Sequence, residues 1–511
     1  MPEPCDEGAT PLVNFGGNVA FAPRHRYAPA SEAEVLAVLD RHAGGMIRVV
    51  GSLHSWSDDI VSDDVILDLR QFDRVEIEIR DGEIWATIGA GCVLSDALTQ
   101  LRAAGATLPT IGAVTVQRMA GLISTATHGS GCSSLSHHVA GLRIAAYDPE
   151  TGKAGVFELD AGDARRAARC ALGAAGVILA CRVRCVPSYL VEETLVQHDT
   201  LDDVLAGEAR YPLQQFVLVP YLWQFVVFQR RNAGSERTGR ASWWRLIHRA
   251  YALLGVDLLL HLIIKLLVTV GRPSWIRGFF RSMFVHLAWK DRAVVDRSEL
   301  VLTLHHELFK HLEIELFVPA SQLAGALAVV RHAIAVFDGS DARPDPAVEA
   351  ALAGAGLLDE LRRGAGSYTH HYPVFIRRVL PDDTLISMTA GAREPFYTIS
   401  LFCYHEPRTA FYGLADFVAR ALNRLHRARP HWGKYFPLGF ADIADDYPQL
   451  PAFRAICDRL DPRGTFRNAY VRRVLGFGAD ESNRAPGVPA AGAVRGSPDS
   501  SFTASDRDRP W

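Results

Sequence analysis

An apolar run ends in VVGSLHSW at residues 49–56, where Val50 gives way to Gly51, Ser52, Leu53, His54 and Ser55. Glycine and small residues after a strand let backbone N–H groups approach a phosphate or a flat cofactor, and a histidine held there is available for chemistry. A second stretch, LPTIGAVTVQRMAGLISTATHGSG at 108–131, interleaves Gly112, Gly121, Gly129 and Gly131 with Ser124, Thr125, Thr127, Ser130 and His128. It offers many small hydrogen-bonding groups on a permissive backbone. It lacks both a Walker lysine and GxGxxG spacing, so a P-loop or a Rossmann fingerprint fits poorly. A third glycine pair, Gly173 and Gly176, stands in LGAAGVI (172–178) with Val177 and Ile178. Near the C terminus HWGK, from His431 to Lys434, follows Arg429 and Pro430.

The elements that must position these groups follow from periodicity. SEAEVLAVLDRHA (31–43) reads as a helix capped by Ser31, with Glu34 three residues on. MIRVVG (46–51), VILDL (65–69), VEIEIR (75–80) and EIWATIGAG (83–91) read as strands of a mixed sheet, and VLSDALTQLRAAG (93–105) as a helix stopping at Gly105. A second strand-rich part begins near Glu192 and resumes at HLEIELFVP (311–319), YPVFIRRVL (372–380), TLISMT (384–389) and FYTISLFCYH (396–405). Helices over 321–337 and 413–427 pack on that sheet. After Gly478 the composition turns to Ala, Gly, Pro, Ser and Asp, the pattern of a disordered tail over 479–511.

Composition narrows the class. The 511 residues are 49% hydrophobic and 22% charged, which excludes wholesale disorder, collagen and coiled coil. A net charge of −3 offers nothing for non-specific binding of nucleic acid, which requires clustered Lys and Arg. The eight cysteines include no CxxC pair and no secreted-size framework, and residues 1–20 do not resemble a signal peptide, so a reduced, cytoplasmic setting is expected.

The order and spacing of VGSLHSW, GLISTATHGSG, LGAAGVI and HWGK resemble the FAD-dependent aldonolactone and alditol oxidases of the vanillyl-alcohol oxidase superfamily, especially the gulonolactone and arabinonolactone oxidase branch. The resemblance covers roughly 14–190 and 300–478. It implies an α+β fold: a two-part FAD-binding domain formed by 14–190 and 431–478, and a cap over 191–430 with an antiparallel sheet. It implies FAD joined covalently to His54. Gly51, Ser52, Ser55 and the 110–131 loop, with Gly112, Gly121, Ser124, Thr127, His128 and Gly129, would cradle the pyrophosphate. Gly173, Gly176, Val177 and Ile178 would face the adenosine side. Lys434 would stabilise the negative charge that develops on the flavin when it accepts a hydride, with Arg429 and His431 nearby. Gly112 stands where a glycine leaves oxygen a path to the flavin, which favours an oxidase.

One departure bears on the substrate. The family commonly carries Glu-x-Arg on a cap strand, and PVFIRRV keeps the arginine as Arg377 but has Phe375 in place of the glutamate. A phenylalanine cannot take a proton or bind a hydroxyl, so either the substrate is less polar than a sugar lactone or another base serves. Glu313, Glu315, His370 and His371 are the candidates.

Between Arg240 and Arg292 nine basic residues face two acidic ones, around the apolar run YALLGVDLLLHLIIKLLVTV (251–270). Arg249, Asp257, His261 and Lys265 recur at multiples of four, a polar stripe on one helical face, and Trp243, Trp244, Trp275, Phe279, Phe280 and Trp289 flank it. This suits peripheral contact with the inner face of a membrane through 243–289. Burial against the protein or in a dimer contact is the alternative, and a true span would have to hide three ionisable groups. The function expected is FAD-dependent oxidation of a CH–OH group in a small hydroxylated molecule such as D-arabinono-1,4-lactone, with molecular oxygen as acceptor. The alternatives are a membrane-surface dehydrogenase of a lipid-like alcohol that reduces a quinone, and a flavin-binding interaction module that has lost catalysis.

Overall fold

The computed structural model describes residues 10–234, 247, 249–287, 292–303, 310–340, 345–404 and 408–478. The expected tail, Trp243, Trp244 and Trp289 lie outside the described residues.

The first segment divides its strands between two sheets instead of placing them in one mixed sheet. Ile47–Val50 and His25–Tyr27 flank Val65–Asp68 in a small parallel sheet. Val75–Arg80 and Glu83–Gly89 join an antiparallel sheet with Val177–Pro187, Val139–Tyr147 and Ala154–Leu159. The division has a local cause. Val65–Asp68 is buried on both faces, as a central parallel strand requires, whereas Val75–Arg80 alternates and is solvated on one side. Helix Glu32–Arg41 forms where predicted; Glu34 accepts from the Ala30 N–H at 2.8 Å while its own N–H reaches Ser31 at 3.4 Å.

From Leu190 onward an eight-stranded antiparallel sheet dominates. Its order runs Val294–Arg297, Leu190–His198, Phe225–Gly234, Gln215–Leu218, Val374–Val379, Phe396–Tyr404, His311–Pro319 and Arg429–Pro430. Helices Leu323–Asp338 and Arg408–His426 pack together against it. TLISMT is not a strand. The Thr384 and Ser387 N–H groups bond to the side chains of Asp382 and Thr384, so short polar side chains supply the partners a sheet neighbour would have given.

Arg249–Val270 forms one helix, wound as a π-helix over Ala252–Leu260, followed by Pro273–Ser282. The expected polar stripe is divided: His261 is half-buried and bonded to Tyr372 at 2.7 Å, while Lys265 is exposed. The wider π turn alters the angular spacing that a uniform α-helix would have kept.

The C-terminal segment returns to the first one. Arg48, fully buried, donates at 2.6 Å to each of the carbonyls of Asp59, Leu172 and Phe466, and Asn468 reaches the carbonyls of Asp58 and Val61. Arg48→Ala leaves three buried acceptors without their charged donor and is expected to cost about 3–5 kcal/mol. Chemical denaturation of wild type and variant measures the difference.

Candidate functional site

The loop after Ile47–Val50 is held open from both sides. Leu53 takes a left-handed conformation, φ 55°, and its carbonyl accepts from the Phe15 N–H at 2.8 Å. Ser55 donates to Asp59 at 2.6 Å, the Trp56 N–H to the Gly433 carbonyl at 3.0 Å, and Ser57 to the Trp432 carbonyl at 2.8 Å. The GSLHSW and HWGK motifs, far apart in the chain, are therefore one structural unit. His54 stacks on Phe15 at 4.7 Å. Burial, and then the charge of Lys434, push its pKa down to about 4, so the imidazole is neutral near pH 7.

A cavity of about 750 Å³ opens on this unit. Val50, Gly51, Ser52, Leu53, His54 and Ser55 line it from the first motif. Gly121, Ser124, Thr127 and His128 come from the second, Gly173, Gly176 and Ile178 from the third, and His431 and Lys434 from the fourth, with Arg377 on the cap sheet. Three of the predicted cofactor-binding residues are not brought to it, nor is Arg429, whose guanidinium donates to the Met388 and Ala390 carbonyls and stacks on Tyr447. Val177 is fully buried as the first residue of Val177–Pro187, because alternation along that strand points it into the core. Gly112 and Gly129 lie behind the wall: a Cβ on Gly112 would meet Thr127 Cγ2 at 2.5 Å, and one on Gly129 the Ile111 carbonyl at 3.0 Å.

The glycines that do line the cavity fit a long flat cofactor. A Cβ on Gly121 would meet no protein atom within 4 Å, so open space lies beside the backbone there. Gly173 (φ 74°) and Gly176 (φ 125°) hold conformations other residues rarely adopt, and a side chain on Gly176 would strike the Ala145 carbonyl at 2.7 Å.

At the other end the ionisable groups converge. Lys434 lies 4.2 Å above the Trp56 ring and forms an ion pair with Glu313. Two residues further along the same strand, Glu315 faces His128 Nε2 at 3.4 Å. Both glutamates are buried, in contrast to a solvent-facing strand residue. Burial raises the Glu313 pKa, an effect Lys434 only partly offsets. Burial also opposes charge on Glu315, yet His128, then His431 and Lys434, hold its carboxyl well below the usual range. Two carboxylates pushed in opposite directions are suited to different roles, one moving a proton and one staying charged.

His431 accepts from the Gly433 N–H through Nδ1 at 3.0 Å, so the neutral ring carries its proton on Nε2; burial lowers its pKa to about 3. His128, Glu315 and His431 gather closely enough to hold a metal ion; His128 donates Nδ1–H to the Gly129 carbonyl, which leaves its Nε2 able to ligate, whereas His431 accepts from the Gly433 N–H through Nδ1 and so keeps its proton on Nε2. His370 and His371 do not line the cavity; both are buried behind Tyr372 and Pro373, which do.

Beyond this cluster the cap sheet presents an apolar face. Phe375 packs edge-on against Phe402 at 5.3 Å, and Val217, Val226, Leu195 and Phe228 continue the wall across neighbouring strands. Leu260, Ile264 and Phe284 of the 249–287 segment roof it. At the far rim Arg249 forms a two-pronged ion pair with Asp296 at 2.8–3.0 Å. Burial of this segment against the protein stands among the sequence expectations, but its place over the cavity does not. The signal was present in Leu260 and Ile264, whose four-residue spacing marks a second, inward apolar face on the same helix.

Comparison with known proteins agrees with the geometry. Residues 23–153 match an FAD-binding domain family, and residues 183–474 match the D-arabinono-1,4-lactone oxidase family. The chain is 42% identical over 465 residues to a long-chain alcohol oxidase of an uncultured marine euryarchaeote, covering 90% of this chain and 96% of that one. It is 27% identical to an L-gulono-1,4-lactone dehydrogenase of Mycobacterium tuberculosis, covering 91% and 98%, and 24% identical to the L-gulonolactone oxidase of Bos taurus, covering 90% and 97%. In fold it is similar to cholesterol oxidase from Brevibacterium sterolicum, with a TM-score of 0.69 at 13% identity over 91% of this chain and 96% of that one. Two family matches, a 42% identical relative and a glycine-lined cavity ending in Lys434 make the chain a member of the FAD-dependent aldonolactone oxidase family, an oxidoreductase acting on CH–OH groups with the vanillyl-alcohol oxidase fold.

Proposed function

We propose that this enzyme oxidises a long-chain or similarly lipophilic primary alcohol to the aldehyde. The observation that carries the reading is the apolar trench of Phe375, Phe402, Val217 and Val226, which leads away from the Lys434–Glu313 pair. A sugar lactone would leave its hydroxyls unpaired against that wall, at about 1–3 kcal/mol each. An alkyl chain would gain about 0.8 kcal/mol for every methylene it buries. The 42% identical relative carries the name of a long-chain alcohol oxidase, which supports the same choice.

FAD, when bound, supplies the two-electron acceptor for the hydride on the carbinol carbon, and molecular oxygen takes those electrons to give hydrogen peroxide. The chain's own residues handle the proton and the charge. Glu313, its affinity for protons raised by burial, takes the hydroxyl proton and so occupies the role of the glutamate missing at 375. Lys434 supplies positive charge beside Trp56 where negative charge develops. Arg377 orients the alcohol oxygen. His128, Glu315 and His431 form a buried network that fixes the surrounding wall. In this reading 14–190 and 431–478 hold the cofactor and 191–430 covers the substrate. His54, neutral and half-buried, would be the residue that holds FAD covalently. Peripheral contact with a membrane belongs to the same reading, because an alcohol of this kind dissolves in lipid.

Anaerobic mixing with primary alcohols of increasing chain length and with aldonolactones tests the substrate. Flavin absorbance should bleach with long alcohols, with kcat/KM rising at each added methylene, and bleaching only by lactones would sink the proposal. His54→Ala should leave all flavin extractable by acid, whereas wild-type flavin stays with the protein. Gly112→Ala should slow the recovery of flavin absorbance in air by forcing Thr127 toward the cavity, and Thr127→Ser in the same chain should restore it. An unchanged rate in the single variant removes Gly112 from the path of oxygen.

A further inference from the structure

Of the twelve large hydrophobic residues that are exposed among the described residues, nine lie between Leu253 and Met283. Leu254, Leu258, Leu262, Leu266 and Val270 recur every four residues along the outer side of one helix, and Leu266 is 64% exposed. Trp275 and Met283 extend the patch onto the following segment. A contiguous apolar surface of this kind marks an interaction site. Its fringe is cationic. Lys265, Arg272 and Arg281 are exposed around it, Arg272 stacks on Trp275 at 5.2 Å, and Asp257 is the only acidic residue in the sequence from 247 to 290.

The same helix is long and apolar enough to cross a bilayer, but it is anchored to the protein at two points. Arg249 is clamped to Asp296, and His261 is bonded to Tyr372 at 2.7 Å and to Tyr404 at 3.1 Å. Its inner side, at Leu260 and Ile264, roofs the cavity. A helix fixed in this way turns its other side to its surroundings. Leu253 belongs to both surfaces: it lines the cavity and is 37% exposed.

We infer that the outer face of 249–283 docks on an anionic lipid bilayer and that the alcohol passes from the lipid into the cavity beside Leu253. Apolar side chains enter the acyl boundary, while Lys265, Arg272 and Arg281 meet lipid phosphates. The substrate then never crosses water. The inference rests on the lipophilic-alcohol reading for its purpose, but docking is measurable without turnover.

The test is flotation of the FAD-loaded enzyme with phosphatidylcholine–phosphatidylglycerol vesicles, together with turnover of one long-chain alcohol presented in detergent micelles or in those vesicles. Wild type should float. A variant carrying Leu254→Glu, Leu262→Glu and Leu266→Glu, none of which lines the cavity, should remain at the bottom of the gradient. It should keep wild-type turnover in micelles, which also shows that it folds, and lose about tenfold in vesicles. Lys265→Glu with Arg272→Glu should weaken flotation as a second, independent change. Wild type that fails to float, or a triple variant that floats and turns over vesicle-borne alcohol like wild type, overturns the inference. Flotation that depends on the leucines without turnover in micelles upholds the docking surface and removes the substrate reading.

Discussion

The buried guanidinium of Arg48 is the constraint on which the site depends. It joins carbonyls from three segments that the chain separates by more than a hundred residues at two junctions, at Asp59, Leu172 and Phe466. Those segments carry the first glycine loop, the third glycine pair and the C-terminal return. Every arm of the guanidinium is used, so moving one segment leaves a charged donor buried without an acceptor. The cofactor cradle is thereby a single rigid object, although no two of its motifs are adjacent in sequence. The bonds from Trp56 and Ser57 to the HWGK turn extend the same rigidity to Lys434.

The cap sheet supplies the second half of the site through its register. Phe375, Ser400 and Glu315 stand opposite one another on three neighbouring strands, and Arg377, Thr398 and Phe317 form another row two residues along. Side chains in register share a face, so replacing the expected glutamate by Phe375 leaves the sheet with carboxylates two strands away. The buried carboxylates stand across the sheet from Phe375, and the wall around Phe375 is apolar.

The roof over that trench joins chemistry to location. Its inner residues close the cavity, and its outer ones are most of the exposed large hydrophobics among the described residues. A helix with two apolar sides needs two apolar partners. The sheet provides one of them, and the docking inference assigns a lipid surface as the other.

The sequence by itself determined the glycine motifs, the HWGK turn, the family they resemble, most helices and strands, and the departure at Phe375, because each depends on residue type at short spacing. The expectation of one mixed sheet failed because strand partners are chosen by burial on both faces, which periodicity reports only weakly. TLISMT reads as a strand in sequence, yet the side chains of Asp382 and Thr384 claim the backbone. The sequence singled out Glu313 and Glu315 but could not choose between them and His370 or His371. Only the tertiary structure puts both glutamates on the cavity and both histidines behind it, since which carboxylate meets Lys434 and which meets His128 depends on strand register and on a loop more than a hundred residues away. Burial, which sets the opposite proton affinities of the two glutamates, exists only once those distant segments have packed together.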